Sequence, residues 1–140
     1  MSIAVAEVVE AFKRQFNADP DILVRAPGRV NIIGEHTDYN HGFVLPMAIE
    51  RETVIAGRRR NDDWLNARAE NLDRSVEINI NDRRRNTEEP WIDYIIGVID
   101  ELFTLGHIPC GADMVIKGDV PLGCGLSSSA ALEMAALCLF

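Results

Sequence analysis

Two glycines and three serines stand directly ahead of an apolar, alanine-rich run in PLGCGLSSSAALEM, residues 121–134. The start of a helix leaves about four backbone N–H groups without intrahelical acceptors, and the helix dipole adds positive potential there. Glycine lets the backbone curl closely around a ligand, and a serine hydroxyl can donate to a phosphate oxygen or ligate a magnesium ion. The segment 121–129 therefore predicts a phosphate-binding loop. The alternative is a buried helix capped by an ordinary serine.

The spacing within this loop excludes two familiar nucleotide-binding motifs. A P-loop needs a lysine after its last glycine, and none follows Gly125; the dinucleotide motif GxGxxG needs a third glycine where Ser128 stands. The capping explanation is also imperfect, because Glu133 follows Ser129 one residue too late for a capping box. Two glycines and a serine triplet exceed what helix capping requires.

A second group of chemically active side chains lies in RAPGRVNIIGEHTDYNHG, residues 25–42. Carboxylates accept hydrogen bonds from vicinal hydroxyls, and an arginine can stabilise charge on a transferring phosphoryl group. This segment could therefore bind a hydroxyl-rich ligand, although a polar surface loop with internal salt bridges has the same composition. Metal binding by His36 and His41 is disfavoured, because their spacing fits no ligand pattern. The side chains concerned are Arg29, Asn31, Glu35, His36, Asp38, Tyr39 and Asn40.

The rest of the chain must fold so that these two segments are positioned. Hydrophobic periodicity predicts helices at both ends and one over 91–106, where Pro90 precedes the first turn and Gly106 suits the C-terminal cap. Pro46 places its strand at a sheet edge or a bulge. The order of elements favours an α+β or mixed α/β domain over regular βαβ winding. Strands are predicted at 22–26, ending at Pro27-Gly28, and at 43–50, 53–59, 65–71, 75–80 and 111–120, with a polar loop at 30–42 and a charged connector at 81–90.

Composition limits the functions open to the chain. Its 140 residues suffice for one domain with a real core, and 47% of them are hydrophobic. A net charge of −8 argues against nucleic-acid binding, because neutralising phosphates takes a basic face. No segment has the pattern of a signal peptide or a membrane span, so we expect a soluble, cytoplasmic protein. The three cysteines show no CxxC spacing, which favours free thiols over a disulfide framework or a zinc site.

Both segments resemble one family of enzymes. APGRVNIIGEHTDYNHGFVLPMAIE (26–50) closely resembles the N-terminal signature of galactokinases, and PLGCGLSSSAALEM resembles the phosphate-binding motif of the GHMP small-molecule kinase superfamily. PWIDYIIGVI (90–99) is similar to the nucleotide-side helix of that family. The phosphate motif alone identifies only the superfamily, and the GEHTDYN loop narrows it to galactokinases. The resemblance implies one N-terminal GHMP-kinase domain over 1–140, with a mixed β-sheet and packed helices like domain 2 of ribosomal protein S5.

The resemblance also implies roles for individual residues. Glu35, His36, Thr37 and Asp38 would line a galactose pocket, and Arg29 would stabilise the transition state between the sugar and the γ-phosphate. Trp91 and Tyr94 would flank adenine, although packing of their helix onto the sheet would explain either aromatic. Cys124 departs mildly from the family, which usually has Ala or Gly there. The loop that would wrap the phosphates of ATP comprises Gly123, Cys124, Gly125, Leu126, Ser127, Ser128 and Ser129, with Ser129 as a ligand of Mg²⁺.

The implied reaction is ATP-dependent phosphorylation of α-D-galactose at its anomeric hydroxyl, which yields galactose 1-phosphate and ADP. Galactokinases are much longer than this chain, which lacks the catalytic aspartate, the magnesium-binding glutamate and the second glycine-rich motif of the family. We therefore expect a front portion without its C-terminal domain, whose isolated turnover is weak or nil. A non-catalytic sensor of galactose and ATP is one alternative. A kinase for a related sugar, such as N-acetylgalactosamine or an arabinose, is another.

Overall fold

The computed structural model describes residues 5–140, which form a single mixed sheet with helices on both faces. The five strands lie in the order β1-β2-β5-β3-β4. Neighbouring strands are antiparallel except β3 and β5, which are parallel. The predicted α+β, mixed α/β class is confirmed. The elements are α1 (Val5–Phe16), β1 (Ile22–Ile33), α2 (Glu35–Asp38), β2 (Leu45–Arg59), β3 (Trp64–Ala69), β4 (Arg74–Asn79), a 3₁₀ turn (Pro90–Ile92), α3 (Asp93–Thr104), β5 (Ala112–Gly118) and α4 (Ser128–Leu139).

Helices cover both faces because the interior strand β2 buries side chains on both sides. Val54 and Ala56 lie in a small core with Val8 and Phe12 of α1. Ile55, between them, belongs to the larger core beneath α3 and α4. This arrangement holds α4, and therefore the loop that precedes it, against β1 and β2.

The first strand is longer than the sequence predicts. Pro27-Gly28 does not end it, so that prediction is wrong, and β1 continues to Ile33. A shift of register between Pro27 and Arg29 accommodates the proline, whose nitrogen has no proton to donate to the ladder. The predicted loop 30–42 is correspondingly shorter, because its first four residues belong to β1 and α2 forms a single turn within it.

The predicted strands 43–50 and 53–59 are parts of one strand, β2, which begins at Leu45, so their separation in the sequence prediction is also wrong. Arg51 and Glu52 interrupt the apolar pattern but continue the strand, because partners on neighbouring segments bind both charges. Pro46 pairs with Asn31 beside a second register shift, at a point where β2 has β1 as its only ladder neighbour among residues 5–140. The predicted edge or bulge position of Pro46 is confirmed.

The helix predicted over 91–106 is confirmed, with a 3₁₀ first turn. Gly106 closes it with φ of +85°. The N–H of Gly106 donates to Phe103 O at 3.0 Å and that of His107 to Leu102 O at 2.9 Å, which is a Schellman motif. Strands β3, β4 and β5 lie within two residues of their predicted bounds. Of the helices in residues 5–140, none combines the length and apolar character that crossing a membrane requires.

Candidate active site

The loop between β5 and α4 has an unusual backbone. Gly123 and Gly125 have φ of +68° and +70°, and Ser127, the residue before α4, has φ of +60°. A Cβ at either glycine would meet no atom within 4 Å, so backbone conformation rather than crowding requires glycine there. Ser127 has no such freedom, and a non-glycine residue in this conformation costs about 1–3 kcal/mol. Strain of this kind is concentrated at ligand sites in proteins.

The N-terminus of α4 is open to a ligand. Ser127 makes no side-chain capping hydrogen bond, so the capping alternative does not explain the serine triplet. Within residues 5–140, the backbone N–H groups of Ser128 and Ser129 have no acceptor. The helix dipole adds positive potential at these free donors. An anion such as a phosphate suits the position.

A cleft of about 690 Å³ lies beside the loop, a size typical of small-molecule sites. Tyr94 faces it with 45% of its surface exposed, so core packing does not account for this residue. Trp91 packs partly against the main core, and its Nε1 donates to Glu89 Oε2 at 2.8 Å. The structure thus brings both predicted aromatics, Trp91 and Tyr94, to the segment 121–129, which is called the serine loop below. The cleft is lined by Thr53, Ala69, Asn71, Leu72, Trp91, Tyr94, Ile116, Gly118, Val120, Pro121, Leu122, Gly123, Ser128, Ser129 and Leu132.

Several lining residues lie far from both motifs in the sequence. Asn71 follows β3, and its Oδ1 accepts the N–H of Gly118 at 2.7 Å, which ties the end of β5 to the β3–β4 turn. Thr53 belongs to β2 and is buried. Sequence reasoning missed both, because no local pattern indicates them. The order of strands in the sheet brings them to the cleft.

The loop after β1 is held by its own backbone and by Thr37. Gly34 has φ of +100°, and a Cβ there would lie 2.6 Å from Phe43 O. The Thr37 hydroxyl lies 3.0 Å from Gly34 O and 2.8 Å from Phe43 O, so it closes the loop. His36 Nδ1 lies 2.7 Å from the Tyr39 hydroxyl. Of the predicted sugar residues, Thr37 therefore has its hydroxyl engaged within the loop.

The other predicted sugar residues, Glu35, His36 and Asp38, are exposed. Arg29 Nη2 lies 3.8 Å from Asp38 Oδ2, and Asn31 Nδ2 donates to the same oxygen at 2.9 Å. Glu35 is exposed, and within residues 5–140 its carboxylate has no hydrogen-bond or ion-pair partner. The arrangement leaves carboxylate oxygens free to accept hydrogen bonds from ligand hydroxyls.

The two segments meet at one backbone contact. The N–H of Arg29 donates to Leu126 O at 3.1 Å. A Cβ on the preceding residue, Gly28, would lie 2.8 Å from that oxygen, so only glycine permits this approach. The residue that carries the guanidinium is therefore hydrogen-bonded through its backbone to the serine loop.

The residue that leads into the serine loop, Asp119, is anchored to β2, the strand that pairs with β1. Asp119 Oδ1 accepts the N–H of Glu52 at 2.7 Å, and Oδ2 accepts from Arg51 Nη1 at 3.1 Å. Glu52 also binds Arg25 through two bonds of 2.8 Å. These bonds raise the pKa of Arg25. The loop is thus fixed at its start by Asp119 and near its end by Leu126.

The residues present can supply part of a magnesium site. Residues 5–140 contain no cluster of three or more His, Cys, Asp or Glu that could hold a metal. Magnesium bound with a nucleotide takes only one or two protein oxygens, and phosphates and water complete its shell. The Ser129 hydroxyl, at the cleft, fits one such position.

Two family models match the chain around these segments. The galactokinase galactose-binding signature matches residues 10–59, and the GHMP kinases N terminal domain matches residues 93–140. The galactokinase of Roseiflexus sp. (strain RS-1) is 50% identical over 129 residues, which is 92% of this chain and 33% of that protein. The chain belongs to the galactokinase family. It corresponds to the N-terminal portion, as the second model indicates.

Two further galactokinases are also similar to this chain, one in sequence and one in structure. That of Haemophilus influenzae (strain PittEE) is 50% identical over 90% of this chain. The crystal structure of Lactococcus lactis galactokinase complexed with galactose superposes with a TM-score of 0.84 at 36% identity, covering 94% of this chain and 35% of that one. Methanococcus jannaschii mevalonate kinase shares the fold, with a TM-score of 0.69 at 23% identity over 83% of this chain and 38% of its own. The chain spans about a third of the length of the curated galactokinases it matches.

Proposed function

We propose that this protein is a galactokinase that transfers the γ-phosphoryl group of ATP to the anomeric hydroxyl of α-D-galactose. The observation that carries the proposal is the hydrogen bond from Arg29 N–H to Leu126 O. It joins β1, the strand that leads into the loop over residues 34–44 (the sugar loop), to the serine loop. The galactose-binding signature over 10–59 and the likeness to a galactokinase complexed with galactose support galactose as the sugar.

In this proposal ATP lies in the cleft, with adenine beside Trp91 and Tyr94 and its phosphates at the start of α4. The free N–H groups of Ser128 and Ser129 donate to phosphate oxygens, and the helix dipole adds to the attraction. Mg²⁺, when bound, neutralises charge on the phosphates, with the Ser129 hydroxyl as one ligand. The open N-terminus of α4 supports this assignment.

Galactose is held by the loop after β1. The carboxylates of Glu35 and Asp38 accept hydrogen bonds from sugar hydroxyls, and His36 adds a further polar contact. Arg29 stands between this loop and the phosphates, where its guanidinium offsets charge on the transferring phosphoryl group. Phosphoryl transfer depends mainly on positioning and charge neutralisation, so these residues perform a large part of the catalytic task.

The remaining parts of the reaction belong to other segments of the family's proteins. By resemblance, the aspartate that acts as base and a glutamate that binds magnesium are not among residues 1–140. We expect weak or no turnover from the 140-residue chain alone. Galactose-dependent ADP production by that chain would contradict this expectation. The cytoplasmic location expected from the sequence stays a prediction.

The test uses the complete protein encoded by the reading frame that contains this sequence. Coupled ADP release and detection of galactose 1-phosphate should both depend on galactose and ATP. Asp38→Asn should raise the KM for galactose while the KM for ATP stays unchanged, because in this proposal Asp38 binds the sugar and does not bind the nucleotide. Asp19→Asn, at an exposed carboxylate remote from the loop, is the matched control.

Three outcomes would contradict the proposal. Binding of both ligands without ADP release would indicate a sensor rather than an enzyme. Preference for another sugar in a substrate panel would indicate a related kinase. An equal loss of ATP and galactose affinity in Asp38→Asn would indicate that the loop is only structural.

A further inference from the structure

Asn31 is a buried amide beside the sugar loop. It lies on β1 opposite Pro46 and is only 6% exposed, whereas the next residues, Ile32 and Ile33, are 60% and 70% exposed. Burial of an amide that lacks full hydrogen bonding costs about 1–3 kcal/mol on mutational evidence. The strand thus buries a polar side chain where its apolar neighbours are exposed, which calls for a specific contact.

The contact is to Asp38. Asn31 Nδ2 donates to Asp38 Oδ2 at 2.9 Å, and Arg29 Nη2 lies 3.8 Å from the same oxygen. Arg29 and Asn31 are two residues apart on a strand, so their side chains leave the same face. Two groups of β1 therefore approach one oxygen of Asp38. The other oxygen, Oδ1, is left for a ligand.

The side-chain oxygen of Asn31, Oδ1, has no partner among the described residues. Among residues 5–140 no group donates to Asn31 Oδ1, although this oxygen is buried. Turning the amide over would set that oxygen against the Asp38 carboxylate, so the bond to Asp38 dictates the orientation. An unsatisfied buried acceptor costs about 1–3 kcal/mol. The amide therefore orients Asp38 without a corresponding gain in stability.

We propose that Asn31 is a positioning residue that turns the Asp38 carboxylate toward galactose. The inference rests on the proposed function, because Asp38 is the proposed sugar ligand there. Asn31 itself does not touch the sugar. The effect of Asn31 on galactose affinity passes entirely through Asp38. Substitutions of Asn31 should therefore have kinetic effects that differ from those at a residue with a purely structural role.

The first experiment measures Asn31→Leu in the complete protein. Leucine has a similar volume but no donor, so the KM for galactose should rise about ten-fold, the value of one hydrogen bond to a charged group. The KM for ATP should be unchanged, and the melting temperature should equal or exceed that of wild type, because an unsatisfied buried oxygen is removed. Asn66→Leu is the matched control, since Asn66 Nδ2 also donates to a carboxylate, Glu77 Oε2 at 3.2 Å, on the remote pair β3 and β4.

The second experiment is a double-mutant cycle. If Asn31 acts through Asp38, Asn31→Leu should cause no further loss of kcat/KM for galactose in an Asp38→Ala background. Asn31→Ala, which adds no volume, answers the same question if leucine prevents folding.

Three results would overturn the inference while leaving the proposed function intact. They are a wild-type KM for galactose in the Asn31 variants, additive losses in the cycle, and a fall in melting temperature together with a rise in both KM values. A wild-type protein that does not phosphorylate galactose overturns the proposed function, and the inference with it.

Discussion

The backbone of Arg29 is hydrogen-bonded to the carbonyl of Leu126 at 3.1 Å, so the proposed catalytic cation and the serine loop share one rigid contact. The loop therefore cannot move away from the sugar site without breaking a bond at the residue that carries the guanidinium. Proximity of this kind lowers the barrier to phosphoryl transfer, because the reacting groups are held in place before the reaction begins.

Gly28→Ala should disrupt this contact. The added Cβ would lie 2.8 Å from Leu126 O and 3.1 Å from side-chain carbons of Ile49 and Val120. Overpacking of this kind costs about 1–3 kcal/mol, which urea denaturation should detect as a lower free energy of unfolding. Gly97→Ala is the control: its Cβ meets no atom within 4 Å, and the helix interior should gain about 0.5–1 kcal/mol. Equal stability of Gly28→Ala and wild type would show that the approach is not tight.

Arg29→Ala should lower kcat far more than it raises the KM for galactose. The guanidinium is half-exposed and only loosely paired with Asp38, so it is available to charge that develops in the transition state. We expect a loss in kcat of about 10²–10³-fold in the complete protein, as for other transition-state donors. Arg84→Ala, at an exposed arginine that pairs with Asp82 and does not line the cleft, should leave steady-state kinetics unchanged. Equal effects of Arg29→Ala on kcat and KM would indicate ground-state binding instead.

Asp119→Ala should loosen the entry of the serine loop. It removes the acceptor of the Glu52 N–H and the partner of Arg51, and bonds to a charged group contribute about 1.5–3 kcal/mol. The KM for ATP should rise more than the KM for galactose. Asp119→Asn keeps an acceptor for the Glu52 N–H and should retain most of the ATP affinity. A larger effect on galactose than on ATP would refute the anchoring role.

Acid should weaken the fold through Asp62. Bonds from the Arg60 guanidinium lower the pKa of Asp62 from 3.8 to about 2. Because the pKa is lower in the folded state, this carboxylate stabilises the fold above about pH 4, and the stabilisation is lost as the pH falls through 2. Urea denaturation at pH 5 and pH 2.5 should show a steeper loss of stability for wild type than for Asp62→Asn. Parallel losses in the two proteins would mean that Asp62 has no part in the acid response.

Local patterns were sufficient for most elements. α3 follows from its apolar stripe, Pro90 and Gly106, each of which acts within a few residues along the chain. The serine loop and the polar loop after β1 were likewise identified from composition and from family resemblance. The errors in β1 and β2 share one cause. Pro27-Gly28 and the charged pair Arg51-Glu52 end strands in isolation, but here a register shift and partners on other segments keep both strands intact.

The sequence by itself determined which side chains are proposed to bind a phosphate and a sugar, because residue types and near-neighbour spacing are properties of the chain. Only the tertiary structure decided that Leu126 meets Arg29, that Asn71 and Thr53 reach the cleft, and that Asn31 turns toward Asp38. These contacts arise from the strand order β1-β2-β5-β3-β4 and from α4 packing on β1 and β2. Such pairings depend on burial of surfaces far apart in the chain, which no local pattern of residues encodes.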